Sequence, residues 1–256
     1  MDQSLSPQLK LLSLPNLQKN WDALLAEAAR TKPSYLRFLT DVVAAEYNHR
    51  VEQRRLARIK AAKIPELLVM ETFPFARQPR LNKRMVLDLY DSLDYLTQSK
   101  VLHFSGPTGC GKSGLATAFL IHAINNGGRG RFIDFKDFLH LIHQAGANNS
   151  QRRQIKHFTD LDCLLIDEVG YARLDAAQAG IFFDLIKRRH KKRCTIITSQ
   201  LGFDEWNDFI DNQHLCAAIL DRITENCTVF NMTKCISLRP KNISYATQKT
   251  SESEKA

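Results

Sequence analysis

The octapeptide GPTGCGKS, Gly106 to Ser113, constrains this chain more than any other stretch of it. It fits GxxxxGK[ST] at Gly106, Gly111, Lys112 and Ser113, and the apolar run VLHF precedes it. Leu115, Ala118, Phe119 and Ala123 after it carry helical spacing. Glycines in such a loop let successive backbone N–H groups turn inward around a phosphate, at a helix N-terminus whose dipole favours anions. The sequence therefore predicts a nucleoside-triphosphate cradle made of Gly106, Pro107, Thr108, Gly109, Cys110, Gly111, Lys112, Ser113 and Gly114. Lys112 is expected to reach the β- and γ-phosphates and Ser113 to give a hydroxyl to Mg²⁺. No NKxD follows the loop, which points to ATP rather than GTP.

A P-loop belongs on a parallel sheet, and the chain beyond residue 100 reads as one. Short apolar strands at Val101–Phe104, Arg131–Phe135, Cys163–Ile166 and Cys194–Thr198 alternate with amphipathic helices, so both sheet faces are expected to be covered. The first seventy residues read as helices. Leu17, Trp21, Leu24, Leu25 and Ala28 share one helical face. Ser34 is a candidate N-cap for a second helix, striped by Leu36, Leu39, Val43, Tyr47 and Val51, that runs to about Ala62 and would be roughly 40 Å long. An extended linker, Glu71 to Lys83, leads into a helix over 84–98. We expect a helical domain over 1–70, the nucleotide-binding domain over 71–245 and a disordered polar tail over 246–256.

The third strand ends in Leu164-Leu165-Ile166-Asp167-Glu168, and carboxylates there are costly unless they have work. Asp167 is expected to hold the Mg²⁺ shell and Glu168 to polarise the attacking water as general base. Strand four ends in Thr198-Ser199-Gln200, a polar end that either faces the γ-phosphate or merely turns. Arg222, near a helix end, reads either as a surface arginine paired with Asp221 or as a finger completing a neighbour's site.

Charge narrows the partners. Thirty-six Lys and Arg against 27 Asp and Glu give +9, a balance that attracts polyanions. The cations gather at Arg54, Arg55 and Arg58, at Arg152, Arg153 and Lys156, and at Lys187, Arg188, Arg189, Lys191 and Lys192. These are the candidate DNA contacts, against the plainer reading of solvated helix ends. The longest apolar runs are too short for a membrane span, and the N-terminus lacks a signal layout. The six cysteines form no metal-spaced pair and read as reduced, packed residues of a cytoplasmic protein.

Together these motifs resemble the IstB-type transposition helper ATPases, relatives of the helicase loader DnaC and the initiator DnaA in the AAA+ class. The resemblance runs from the helical N-terminus through FPFARQPRLNK, GPTGCGKS, LLIDEVGY and FDEWNDFI to AAILDRI, nearly to residue 240. It implies an α/β fold: a five-stranded parallel αβα core with a small helical N-terminal domain and no C-terminal lid. It also implies a homo-oligomer with ATP between subunits, Arg222 as the trans-acting finger and Gln200 as first sensor, where relatives show Asn. Phe73 to Phe75 would wall the adenine pocket. The implied partners are duplex DNA, bound largely without sequence preference, and a transposase. The N-terminal helices would mediate self-assembly or transposase contact, and helices over about 136–159 would line a DNA channel.

Two alternatives use the same motifs. A DnaC-like helicase loader would carry a helicase-docking N-terminus. A small-molecule P-loop kinase would need an acceptor module and an Arg-rich lid, and the sequence shows neither.

Overall fold

The computed structural model describes residues 5–147 and 150–239, the side chains of 145–147 excepted; the 246–256 tail and anything beyond 239 lie outside it. The chain begins with α1 (Leu5–Leu11), α2 (Pro15–Thr31) and α3 (Tyr35–Ala61). Ser34 caps α3 by accepting from the Arg37 N–H at 3.3 Å. Leu14 gives α2 no side-chain cap, and Glu46 of α3 supplies one from outside, accepting from the Leu17 N–H at 2.9 Å. The stripe Leu36, Leu39, Val43 and Tyr47 is present but faces solvent, each residue at least 60% exposed. The far end of α3 is packed. Ala62 is fully buried in the main core, and its carbonyl accepts from the Phe132 N–H at 2.8 Å.

Two 3₁₀ turns, Met70–Thr72 and Phe75–Arg77, replace the extended linker of the sequence reading. The helix expected over 84–98 is two helices, α4 (Lys83–Ser92) and α5 (Asp94–Thr97). They are divided at Leu93, whose φ of 57° no α-helix can hold.

The rest alternates strand and helix: β1 (Val101–Ser105), α6 (Lys112–Asn125), β2 (Gly130–Asp134), α7 (Phe135–Ala147), α8 (Gln151–Thr159), β3 (Cys163–Val169), α9 (Ala176–Arg189), β4 (Cys194–Ser199), α10 (Gln213–Thr224) and β5 (Cys227–Asn231). The sheet order is β2-β3-β4-β1-β5, and every pairing is parallel. Strand periodicity divides the core in two. Cys163 and Leu165 of β3 face α6 with Leu115 and Phe119, while Leu164 and Ile166 face α9 with Phe182 and Leu185. The six cysteines are free and five are buried, as packed thiols should be. No helix among the described residues is long and apolar enough to cross a membrane.

His103 of β1 lies wholly inside the second core, stacked on Phe203 at 4.1 Å with Trp206 edge-on. Neither ring nitrogen has a partner among the described residues, and burial lowers its pKa from 6.5 to about 4. The fold thus favours the neutral ring. Its contribution is present above pH 6.5 and is lost as pH falls toward 4. The loss amounts to about 3 kcal/mol at 1.36 kcal/mol per unit. Urea melts across that window should show His103→Leu with a shallower decline than the parent; parallel declines would refute the assignment.

Candidate nucleotide site

The phosphate loop turns from the end of β1 into α6. Gly106 takes φ +151° with an added Cβ only 2.6 Å from the Met232 carbonyl carbon, and Gly111 takes φ +99° against the Phe73 ring. No side chain fits at either turn. Gly111 caps α6 without any side-chain hydrogen bond, so the first-turn N–H groups remain available to an anion. Lys112 folds back into the loop, donating to the carbonyls of Gly106 at 2.6 Å and Pro107 at 2.9 Å. Burial pulls its pKa down, and the negative groups Asp167 and Glu168 pull it up. A triphosphate entering the loop offers this ammonium stronger acceptors than two carbonyls.

A bulge in β3 sets the two carboxylates in separate surroundings. The register runs Ile166↔Ile197 and then Val169↔Ser199, so Asp167 and Glu168 together oppose Thr198. Glu168 takes the extra step at φ 59°, which leaves Asp167 buried and Glu168 exposed. The Thr198 hydroxyl joins them, accepting from the Glu168 N–H at 3.0 Å and donating to Asp167 Oδ1. Ser113 Oγ donates to that same Oδ1 at 2.9 Å. Burial raises the Asp167 pKa, and the Thr198 and Ser113 hydrogen bonds oppose the rise. A hydroxyl and a carboxylate oxygen in contact are hard donors that suit Mg²⁺, which needs only one or two protein ligands beside phosphate and water. The Glu168 carboxylate makes no hydrogen bond or ion pair among the described residues.

The other expected residues fall at different places. Gln200 lies exposed past the end of β4, and Thr198 is the β4 side chain that meets the Asp167 carboxylate. Of the polar end Thr198-Ser199-Gln200, the register that sets Ile166 opposite Ile197 brings Thr198, and not Gln200, to Asp167. Arg222, in the last turn of α10, precedes β5, whose first residue Cys227 is in register with Val101. It therefore lies toward the sheet end opposite the P-loop, with its guanidinium over the Phe183 ring and bonded to the Ala218 carbonyl at 2.7 Å. Phe73 rests against Gly111 and meets Phe75 edge-on at 4.8 Å, so the linker does flank the loop.

The basic run divides by helix face. Arg189 is no DNA contact: it is 1% exposed and donates to the carbonyls of Phe158, Leu161 and Cys194 and to Thr195 Oγ1. It locks the ends of α8 and α9 to β4. Around that lock lies a groove of about 960 Å³ lined by Arg152, Lys156, Arg188, Lys192 and Arg193. Arg188 pairs with Asp184 and Arg193 with Asp162, while Arg152, Lys156 and Lys192 make no ion pair among the described residues. Lys191 pairs with Glu225, and Lys187 lies over Phe183. Arg153 and Arg54 are exposed, Arg55 pairs with Glu52, and Arg58 lines a second hollow beside Arg129 and Arg131.

Comparison with known proteins agrees with this geometry. The profile described as IstB-like ATP binding protein matches residues 7–246. The ATP-binding protein of insertion sequence IS21 from Pseudomonas aeruginosa is 30% identical over 224 residues, covering 88% of this chain and 84% of its own. Among solved structures, the replication initiator DnaA bound to AMPPCP and single-stranded DNA superposes with a TM-score of 0.54 at 17% identity, over 66% of this chain and 50% of its own, so only half of that protein is matched. The DnaC helicase loader gives 0.51 at 22% identity, over 58% and 86%. These two likenesses are of fold alone: the initiator and the loader share the arrangement of this core.

Proposed function

Because the chain belongs to the IstB-like ATP binding proteins of insertion sequences, we propose that it is an ATP-hydrolysing helper of DNA transposition, assembling on duplex DNA and recruiting or activating a partner transposase. The observation that carries the ATP half is the contact of Ser113 and Asp167 beside Lys112 inside a glycine loop. In this reading Ser113 and Asp167 hold Mg²⁺, which offsets phosphate charge, and Lys112 binds the β- and γ-phosphates. Glu168 takes the proton of the attacking water. Arg222 lies too far from its own loop to serve it, which favours a role at a neighbour's site in a homo-oligomer. Gln200 would reach a γ-phosphate only by a turn of its exposed side chain.

The solvent-facing apolar stripe of α3 supports a role for the N-terminal helices in self-assembly or transposase contact, since such faces mark interfaces. The groove around Arg152, Lys156 and Lys192 supports phosphate-dominated DNA binding with little sequence preference. Its cations come from α8 and from the turn after α9, whose backbones Arg189 ties together before a ligand arrives. A cytoplasmic location follows from this role. Whole-length likeness to insertion-sequence proteins favours transposition over helicase loading, for which there is likeness of fold only.

The test is electron microscopy of the protein on duplex DNA with a slowly hydrolysed ATP analogue, with and without the adjacent transposase. Nucleotide-dependent oligomers on DNA are expected; their absence at every salt concentration would end the proposal. The groove has its own test. DNA affinity should fall steeply with salt, and the joint variant Arg152→Ala, Lys156→Ala, Lys192→Ala should lower the log–log slope by roughly 2 to 3. An unchanged slope would move the DNA elsewhere on the surface.

A further inference from the structure

Gln78 carries no role in the sequence reading of FPFARQPRLNK, yet its side-chain amide is engaged at both ends beside the phosphate loop. It is 1% exposed. Its Nε2 donates to the Cys110 carbonyl at 2.9 Å and to the Ile236 carbonyl at 2.7 Å, and its Oε1 accepts from the Ile236 N–H at 3.0 Å. Both amide protons are thus spent and the oxygen is engaged. Two further chain segments meet here. The linker carries Gln78, and the segment after β5 passes over the loop, with the Leu238 N–H donating to the Gly109 carbonyl at 2.8 Å.

The consequence follows from peptide geometry. In a trans peptide the C=O and N–H point opposite ways. Holding the Gly109 and Cys110 carbonyls outward therefore aims the Cys110 and Gly111 N–H groups inward, where a phosphate cradle needs them. Gly109 and Gly111 flank these peptides at φ +82° and +99°, where glycine turns most easily. Without outside donors these two peptides are free to flip, and each flip would present a carbonyl to the phosphate. Gln78 and Cys110 are both buried, so water has little access to the Cys110 carbonyl in place of the amide.

We propose that Gln78 is a positioning residue for triphosphate binding: its buried amide fixes the two central peptides of the loop in the orientation that receives phosphate oxygens. This rests on the ATP reading above. Gln78 touches no substrate itself. Its influence passes through the Cys110 peptide, and through Ile236 to the strap that holds Gly109.

The test compares Gln78→Met and Gln78→Glu with the parent, using a fluorescent ATP analogue and competition by inorganic tripolyphosphate. Gln78→Met keeps length and burial but has no donor. It should weaken ATP and tripolyphosphate alike, by roughly tenfold, with the melting temperature reported beside each affinity. Gln78→Glu supplies the signature that a merely structural role would not produce. Its ionised carboxylate has no donor and adds a buried negative charge beside the cradle, whereas its protonated form regains one O–H donor. Its affinity relative to the parent at the same pH should therefore rise as pH falls from 8 to 6, while the ratio for Gln78→Met stays flat. Parent-like affinity in Gln78→Met would overturn the proposal. So would a weakened Gln78→Glu whose ratio to the parent does not change with pH. A parent protein that binds neither probe would instead refute the ATP reading on which the proposal stands.

Discussion

Lys112→Ala should abolish ATP binding and, with it, the stable complex on DNA. The ammonium is the one positive side chain inside the loop, already held there by the Gly106 and Pro107 carbonyls. The other permanent cation close by is Arg239, whose side chain lies against Gly109 on the loop's flank. Hydrogen bonds to charged groups contribute about 1.5–3 kcal/mol each, so losing contacts to two phosphates costs on the order of a hundredfold or more in affinity. The buried setting increases the effect, because charge interactions are screened less there than at the surface. The substitution also leaves two carbonyls without a donor, so a melting curve must accompany the binding measurement. Fluorescent-nucleotide titration and retention on duplex DNA are the two readouts. ATP-dependent oligomers on DNA from this variant would break the coupling between nucleotide and assembly.

Some of this site was legible in the sequence because its information is local. The loop announces itself by glycines at fixed offsets after an apolar strand, and Asp167-Glu168 by acid at the end of another. What the spacing could not reveal was the bulge, because nothing in LLIDEV says that two residues will oppose one. Arg189 was misread for a reason that could have been avoided. Phe182, Leu185, Ile186 and Arg189 are spaced i, i+3, i+4 and i+7, so Arg189 shares the buried face of α9 despite its charge. The charge run hid the helical period. Strand β5 escaped the residue-level reading because it is an edge strand, with only Phe230 of its five residues buried. Gln78 was out of reach altogether: its partner Ile236 is 158 positions away, and no local pattern encodes such a pairing.

Glu168→Gln should leave ATP and DNA binding intact while lowering turnover by about a thousandfold, within the 10²–10⁴ typical of a lost general base. The reasoning starts from the bulge. Asp167 is buried against Ser113 and Thr198, where the proposed mechanism would have it hold the metal. Glu168, one residue on and at positive φ, is turned out of that cluster, exposed and with its carboxylate unpaired among the described residues. The swap to Gln keeps side-chain length and the Glu168 N–H to Thr198 bond, because that bond belongs to the backbone. It removes the capacity to accept a proton, together with the negative charge that Lys112 senses. An Asp167 variant should behave differently, losing Mg²⁺-dependent affinity as well as rate, so the pair separates the two roles. If hydrolysis dismantles the assembly, Glu168→Gln complexes on DNA should outlast those of the parent in proportion to the lost turnover. Phosphate release and dissociation from labelled duplex, followed in the same samples, give both numbers. Undiminished turnover would remove Glu168 as the base, and slow turnover with parent-like dissociation would detach hydrolysis from release.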